Sequence, residues 1–354
     1  MKILFVDMTT SLESFQDLKI RARGGMVSSL YLLPNVLSKL NNEVHVLSDV
    51  HVGGTTDDGV VWYTRNDEGL LAKQKYDFLV LNRQTYTNGF PEITAKHRIL
   101  WVHDMVHGGW ISDPDYAKNL TATVFMSEYS TRTWKYYYKG IERYFTIPNG
   151  VDKTLFKPGK KDHDKIVFFS APNRGLEFLP LILNPVREAT GRDLKLTAFS
   201  NMTVLHPQET RERDKFAQMY EKVKSEGIDL RDPVPQAELA EFVAESGLML
   251  KPNNYAEICS NSTLQSLACG TPIITTAIGA DKEWVQNGIN GMISKYTYAS
   301  DGPVFLLEMI RIVIDVLEKK ENHQKMIKAA PKTKNVLTWE EVGDQWNKMF
   351  EVVY

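Results

Sequence analysis

The chain has 354 residues, 43% hydrophobic and 24% charged, with a formal net charge of −2. That length exceeds one ordinary core and predicts two domains, while the near-neutral balance excludes whole-protein electrostatic recruitment of nucleic acid. No apolar run approaches a membrane span, and Met1–Val6 is too short and too soon followed by polar residues to be a signal peptide.

In chain order, Lys2–Asp7 (KILFVD) is a short apolar run of buried-strand type. A polar loop follows, with Lys19, Arg21 and Arg23 immediately before Gly24 and Gly25. These cations read either as solvated loop charges or as partners for an anion; the two glycines let backbone approach a ligand closely. Val27, Leu30, Tyr31, Leu33, Val36, Leu37 and Leu40 then keep helical spacing, with a kink expected at Pro34. Glu43–Ser48, Asp77–Asn82, Arg98–Asp104 and Ala122–Ser127 read as further strands. Such alternation predicts an α/β fold with a parallel sheet wrapped by helices. Trp134 with Tyr136–Tyr138 reads as a helix packed on that sheet, or as an aromatic platform for a sugar.

A Pro/Asn/Gly-punctuated connector, Thr146–Pro158, separates this half from a second in which the pattern restarts. Lys165–Ser170, Leu194–Ser200 and Gly247–Pro252 are its strands, with helices over Gly175–Thr190 and Pro235–Ser246. The cluster Lys157, Lys160, Lys161 and Lys165 is diluted by Asp162 and Asp164, and reads as a solvated surface loop. Two Rossmann-like halves imply a cleft between them, with ligands beyond the carboxyl ends of the strands. The two cysteines, Cys259 and Cys269, would stand ~13–15 Å apart along a helix. That is too far for a disulfide and points to a reduced, cytoplasmic setting. The sequons at Asn119, Asn201 and Asn261 then read as chance.

The stretch Tyr255–Thr276, YAEICSNSTLQSLACGTPIITT, carries the most chemistry. Ser260 and Asn261 suit the N-cap of a helix running to about Ala268, which Gly270 and Pro272 terminate. Glu257 lies in the loop before it and Gln265 one to two turns in. A helix start exposes unpaired N–H groups and attracts anions such as a diphosphate. Taken alone, Glu257 reads more simply as a cap for this helix. In Trp101–Trp110, WVHDMVHGGW, His103 ends an apolar strand; it is either a satisfied buried histidine or a ligand contact. His103, Asp104 and His107 also admit a metal-site reading, which Gly108 and Gly109 weaken by favouring a loop.

Together these stretches resemble the GT-B glycosyltransferases, specifically the large retaining family 4 (glycosyl transferases group 1). The family pattern of a glutamate, seven residues, a second glutamate and A-x-G-x-P stands here as Glu257, Gln265, Ala268, Gly270 and Pro272. Ser170–Leu183 (SAPNRGLEFLPLIL) is similar to its phosphate-loop segment, with Arg174 and Gly175 in place of the usual lysine and glycine. The Gly24–Gly25 loop and the closing TWEEVGDQWNKMFEVV, resembling the helix that returns to the first domain, extend the likeness over essentially the whole chain.

The resemblance implies a GT-B fold of two Rossmann-like domains facing across a cleft. Residues 1–148 would form an acceptor-side domain, 149–338 the nucleotide-sugar domain, and 339–354 a helix returning to the first. It implies transfer of a hexose or pentose from a nucleotide-diphosphate sugar to a glycan, glycolipid or glycoprotein hydroxyl, with retention, no metal and no cofactor. Catalytic roles fall to Glu257, His103 and Arg174: Glu257 accepts hydrogen bonds from the donor sugar, His103 contacts it, and Arg174 neutralises the leaving diphosphate. Donor binding falls to Gly24, Gly25, Ser170, Gly175, Ile258, Cys259, Ser260 and Gln265. The expected partners are the nucleotide sugar and a carbohydrate acceptor, without nucleic acid or a transmembrane segment, in the cytoplasm and at most peripheral to a membrane. The rival readings are a nucleotide-sugar isomerase or hydrolase of the same fold, and an inactive sugar-nucleotide-binding relative, the latter motivated by Gln265.

Overall fold

The computed structural model of the chain describes residues 1–16, 24–83, 93–106, 119–137, 140–202 and 210–354. They form two compact units, one built chiefly from the chain up to Gly150 with Leu337–Tyr354 added, the other from Val151–Val336.

In the first unit, β1 (Lys2–Ser14), α1 (Gly25–Lys39), β2 (Glu43–Val52), β3 (Gly54–Thr55), β4 (Val61–Tyr63) and α2 (Glu68–Leu71) come first. They are followed by β5 (Lys75–Asn82), β6 (Thr94–Trp101), β7 (Ala122–Phe125), α3 (Glu128–Tyr137) and β8 (Tyr144–Thr146). The sheet order is β3-β4-β2-β1-β5-β6-β7-β8, parallel except where β3 pairs antiparallel with β4. The apolar run of β1 takes the middle because it is covered on both faces: Ile3, Leu4, Phe5 and Val6 are wholly buried. Ile3 pairs with Val44 of β2 on one side and Phe78 of β5 on the other.

The second unit begins with β9 (Asp162–Phe168), α4 (Leu179–Thr190), β10 (Lys195–Phe199), α5 (Thr210–Ser225) and β11 (Asp229–Arg231). It continues through α6 (Gln236–Glu245), β12 (Ser246–Leu250), α7 (Asn261–Ala268), β13 (Ile273–Thr276) and β14 (Gly291–Ser294). Then come α8 (Tyr298–Asp301), α9 (Pro303–Glu318) and α10 (Lys320–Ala329). Its six strands, all parallel, run β11-β10-β9-β12-β13-β14. Counted within the unit this is 3-2-1-4-5-6, the doubly wound order, whose switch point lies between β9 and β12. Leu179, Ile182, Leu183 and Val186 of α4 and Met309, Ile312, Val313 and Val316 of α9 share one core with Phe168, Leu248 and Ile274 of the sheet.

The last helix, α11 (Trp339–Val353), belongs to the first unit. Thr338 and Glu341 close its start as a capping box, with Thr338 Oγ1 accepting from the Glu341 amide and Glu341 accepting from the Thr338 amide. Trp346 packs 5.3 Å from Trp101 and 6.2 Å from Phe5, and Phe350 sits 4.4 Å from Phe78. Gly343 is required by proximity: a Cβ there would come within 2.4 Å of Val36 Cγ1 on α1.

Several expectations change. The short strands β3, β4, β8, β11 and β14 were not foreseen; at two to four residues they carry too little alternation to register as a pattern. Helix α1 is continuous through Pro34. Lys161 is not solvated: its Nζ donates to Thr271 Oγ1 and to Val243 O, and burial pushes its pKa down to about 8. It immediately precedes β9, so the sheet draws its stem inward. Trp134 is buried, whereas Tyr136 on the same helix is 77% exposed. Lys19, Arg21, Arg23, His107, Gly108, Gly109 and Tyr138 lie outside the described residues.

Candidate functional site

In the second unit two loops leave the sheet at its switch point. Beyond β9 run Ser170, Arg174 and Gly175; beyond β12 run Lys251 to Ser260, which lead into α7. Gly175 has φ +101°, and a Cβ on it would stand 2.1 Å from Pro252 O, so only glycine lets the loops touch. That contact sets Arg174 against Glu257. Arg174 Nε donates to Glu257 Oε1 at 2.9 Å, with the two side chains only 15% and 18% exposed. The guanidinium carbon also lies over Tyr255, 3.5 Å from the ring centroid.

The Glu257 side chain makes no capping bond to α7 among the described residues; its partner is Arg174, while Glu177 lies 3.5 Å from Asn254 Nδ2. One Nε–H of a five-donor fork is engaged by the carboxylate, and the Nη fork can still bind an oxyanion with two parallel bonds. The backbone of Glu257 is pinned as well: Ala280 N–H donates to Glu257 O, and a Cβ on Gly279 would lie 2.4 Å from that same oxygen.

Ser260 occupies the N-cap position of α7, yet its hydroxyl makes no capping bond. It is held elsewhere, accepting from Lys251 Nζ at 2.8 Å and lying 3.0 Å from Ser262 Oγ. Ser262 Oγ in turn stands 2.9 Å from Ser170 Oγ. Ile258 and Cys259 are buried, so any ligand would meet their backbone rather than their side chains. Neither cysteine is in a disulfide. Gln265 Nε2 donates to Gln236 Oε1, at the start of α6, at 2.8 Å.

Lys251 was missed in the sequence. Fully buried, it pairs with the equally buried Asp281 at 2.8 Å, and Thr263 Oγ1 donates to the same carboxylate. The available signal was a charged residue closing an otherwise apolar strand run, GLMLKP.

The first unit carries its own cluster, with Asp7 within β1, Asn82 at the last position of β5, and His103 and Asp104 beyond β6. Asn82 Nδ2 donates to Asp7 Oδ2 at 2.7 Å, both residues wholly buried. Gly25 opens α1, where its carbonyl accepts from Ser29 Oγ, and Gly24 immediately precedes it. His103 lies two residues beyond β6 rather than within it. Its ring stands 4.3 Å from that of Trp101, and its Nε2 is enclosed without a hydrogen-bond partner among the described residues. Desolvation, helped by the Arg83 charge, holds its pKa well below the usual histidine value, so the ring is neutral at pH 7. Asp104 is taken up by a two-pronged pair with Arg83, and its carbonyl accepts from Trp134 Nε1. Among the described residues no cluster of three His, Cys, Asp or Glu could hold a metal ion. Thus Ser170, Arg174, Gly175, Glu257 and Ser260 come together in the second unit, while Gly25 and His103 belong to the first.

Residues 164–310, which hold every element of the second-unit site, match the family model described as Glycosyl transferases group 1. D-inositol 3-phosphate glycosyltransferase 1 of Catenulispora acidiphila is 26% identical over 188 residues, 49% of this chain and 44% of that protein. The chain therefore aligns with less than half the length of this curated relative. A sucrose-phosphate synthase from Thermosynechococcus elongatus superposes with a TM-score of 0.75 at 13% identity, covering 99% of this chain and 98% of that one. HepE from Anabaena, solved in complex with UDP-glucose, does so with a TM-score of 0.73 at 13% identity, covering 99% of each. The fold is GT-B.

Proposed function

We propose that the chain is a retaining glycosyltransferase of family 4 that moves a hexose or pentose from a nucleotide-diphosphate sugar to a hydroxyl acceptor, a glycan or glycoconjugate, without a metal. The observation that carries this is the Arg174–Glu257 pair at the β9/β12 switch point, beside the start of α7. Arg174 keeps its Nη fork for the diphosphate, and the start of α7, where the Ser260 hydroxyl makes no capping bond, adds fixed partial positive charge. Such preorganised donors stabilise charge that develops on the leaving group, the role a cation would otherwise fill. Glu257 keeps Oε2 to accept from a sugar hydroxyl. His103 Nε2, neutral and enclosed, is the first-unit group to which we assign a sugar contact. As the bond from the anomeric carbon to the diphosphate breaks and that to the acceptor oxygen forms, the acceptor's proton passes to a leaving phosphate oxygen. The UDP-glucose complex of the Anabaena neighbour favours UDP-sugars as the first donors to test. Two buried thiols outside any disulfide fit a cytoplasmic setting.

The test is turnover and calorimetric binding with UDP-sugars, in the presence of EDTA, for the native protein and for Arg174→Ala and Glu257→Ala. Transfer that survives EDTA and falls by at least about a hundredfold in each folded variant supports the reading. Release of free or isomerised sugar without acceptor would favour the hydrolase or isomerase. Binding without any turnover across an acceptor panel would favour the inactive relative.

A further inference from the structure

We propose that Lys251 is a positioning residue that orients a chain of three serine hydroxyls, so that the Ser170 hydrogen is aimed outward at the donor diphosphate. This rests on the reading of Ser170 as a donor-binding residue, taken here to meet the donor at its diphosphate. The argument is one of donors and acceptors. An ammonium has three N–H groups and no acceptor, and a serine hydroxyl has one hydrogen and two lone pairs. Lys251 Nζ spends its three hydrogens on Asp281 Oδ2 at 2.8 Å, Thr263 Oγ1 at 3.2 Å and Ser260 Oγ at 2.8 Å. The Thr263 branch ends at once, because that hydroxyl donates to Asp281 Oδ1 at 2.8 Å.

The Ser260 branch has no carboxylate at its end. Ser260 Oγ is a forced acceptor from Lys251, and its own hydrogen has one described acceptor, Ser262 Oγ at 3.0 Å. Both residues are buried, so leaving that hydrogen unmade is costly. Ser262, having accepted, donates onward to Ser170 Oγ at 2.9 Å. Ser170 is the partly exposed end of the chain, immediately beyond β9, and its hydrogen is the one left to point away from the protein. Each link polarises the next, as successive hydrogen bonds do in a low-dielectric interior. A cation with no access to solvent thereby presents its field at the surface as a single directed O–H. This also explains why Ser260 sits at an N-cap without capping: its oxygen is committed to the ammonium.

Calorimetry with UDP and with inorganic pyrophosphate, which needs no base or sugar, tests the relay. Native protein is compared with Ser170→Ala, Ser262→Ala and the double variant. Each single change should weaken both ligands several-fold, up to about tenfold, the worth of one hydrogen bond. The double variant should be no weaker than Ser170→Ala, because Ser262 acts only through Ser170. A second head-of-chain variant, Lys251→Met with Asp281→Leu, exchanges the buried pair for apolar side chains while leaving every serine in place. It should weaken both ligands as Ser262→Ala does, and its effect should vanish when Ser170→Ala is added, which a merely structural loss would not do. Additive losses, or unchanged affinity in Ser262→Ala, would overturn the relay. Native protein that binds neither ligand would overturn the diphosphate reading itself.

Discussion

The touch between the two switch-point loops can be weighed by substituting Gly175. An alanine Cβ would stand 2.1 Å from Pro252 O, 2.8 Å from the Pro252 carbonyl carbon and 3.3 Å from Pro252 Cγ. Ordinary contact begins near about 3.4 Å, so one loop must retreat by more than about 1 Å, and two of the obstacles are backbone. The residue also sits at φ +101°, where a side chain is strained. Left-handed strain costs about 1–2 kcal/mol, and forcing atoms into packed space about 1–3 kcal/mol more. Gly175→Ala should therefore cost about 2–5 kcal/mol. Gly191, just after α4 in the same unit, separates the two contributions: its φ is +64°, and an added Cβ would meet nothing within 4 Å. Gly191→Ala should lose only the strain, about 1–2 kcal/mol. Urea unfolding followed by tryptophan fluorescence and far-UV dichroism gives both losses as midpoint shifts at constant slope. The same retreat would carry Arg174 away from Glu257, so UDP affinity should fall in Gly175→Ala and hold in Gly191→Ala. Equal losses of stability in the two variants, or native UDP affinity in Gly175→Ala, would refute the claim that this contact builds the site.

Two further outcomes follow from particular side chains. Gln265→Glu puts a carboxylate opposite Gln236, whose amide can turn to present Nε2 in place of Oε1, so the fold should tolerate it. If that carboxylate meets the donor ribose, nucleotide-sugar affinity measured by calorimetry should rise by up to roughly tenfold; an unchanged affinity would remove Gln265 from the donor site. Acid should destabilise the second unit through His323, whose pKa is lowered chiefly by burial. A histidine held neutral in the fold leaves stability intact above the ordinary value near 6.5, and loses it as pH falls below that and the unfolded chain takes up the proton. Because His323 Nε2 donates to Gly247 O at 2.7 Å, its Nδ1 must accept from His163 Nδ1 at 3.3 Å, and a proton there would set two N–H groups face to face. The urea midpoint should drop between pH 7 and pH 5, and His323→Gln should flatten that dependence; an unaltered slope would clear His323 of the role.

How much of this was legible in the sequence depended on how local the cause was. Strands β1, β5, β9 and β12 announce themselves because each lies at or beside the centre of its sheet, where burial on both faces leaves no choice but an apolar run. The edge strands β3, β8 and β11 pair on one side over two or three residues and leave no such trace. In the site, Glu257 and Arg174 were singled out separately, each through the family resemblance; local chemistry alone read Glu257 more simply as a cap. Their pairing was not legible, because it depends on a backbone contact between residues 77 positions apart, Gly175 and Pro252. Ser260 shows the opposite error: local propensity put its hydroxyl on the helix amides, and a buried lysine nine residues earlier claimed it instead. Lys251 could be read as a surface charge until Asp281, Thr263 and Ser260 were seen to take up all three of its hydrogens. A lysine whose donors are all committed inside the protein can no longer act by touching a ligand. What it can still do is decide which way its neighbours' hydrogens point, and that is information a linear motif does not carry.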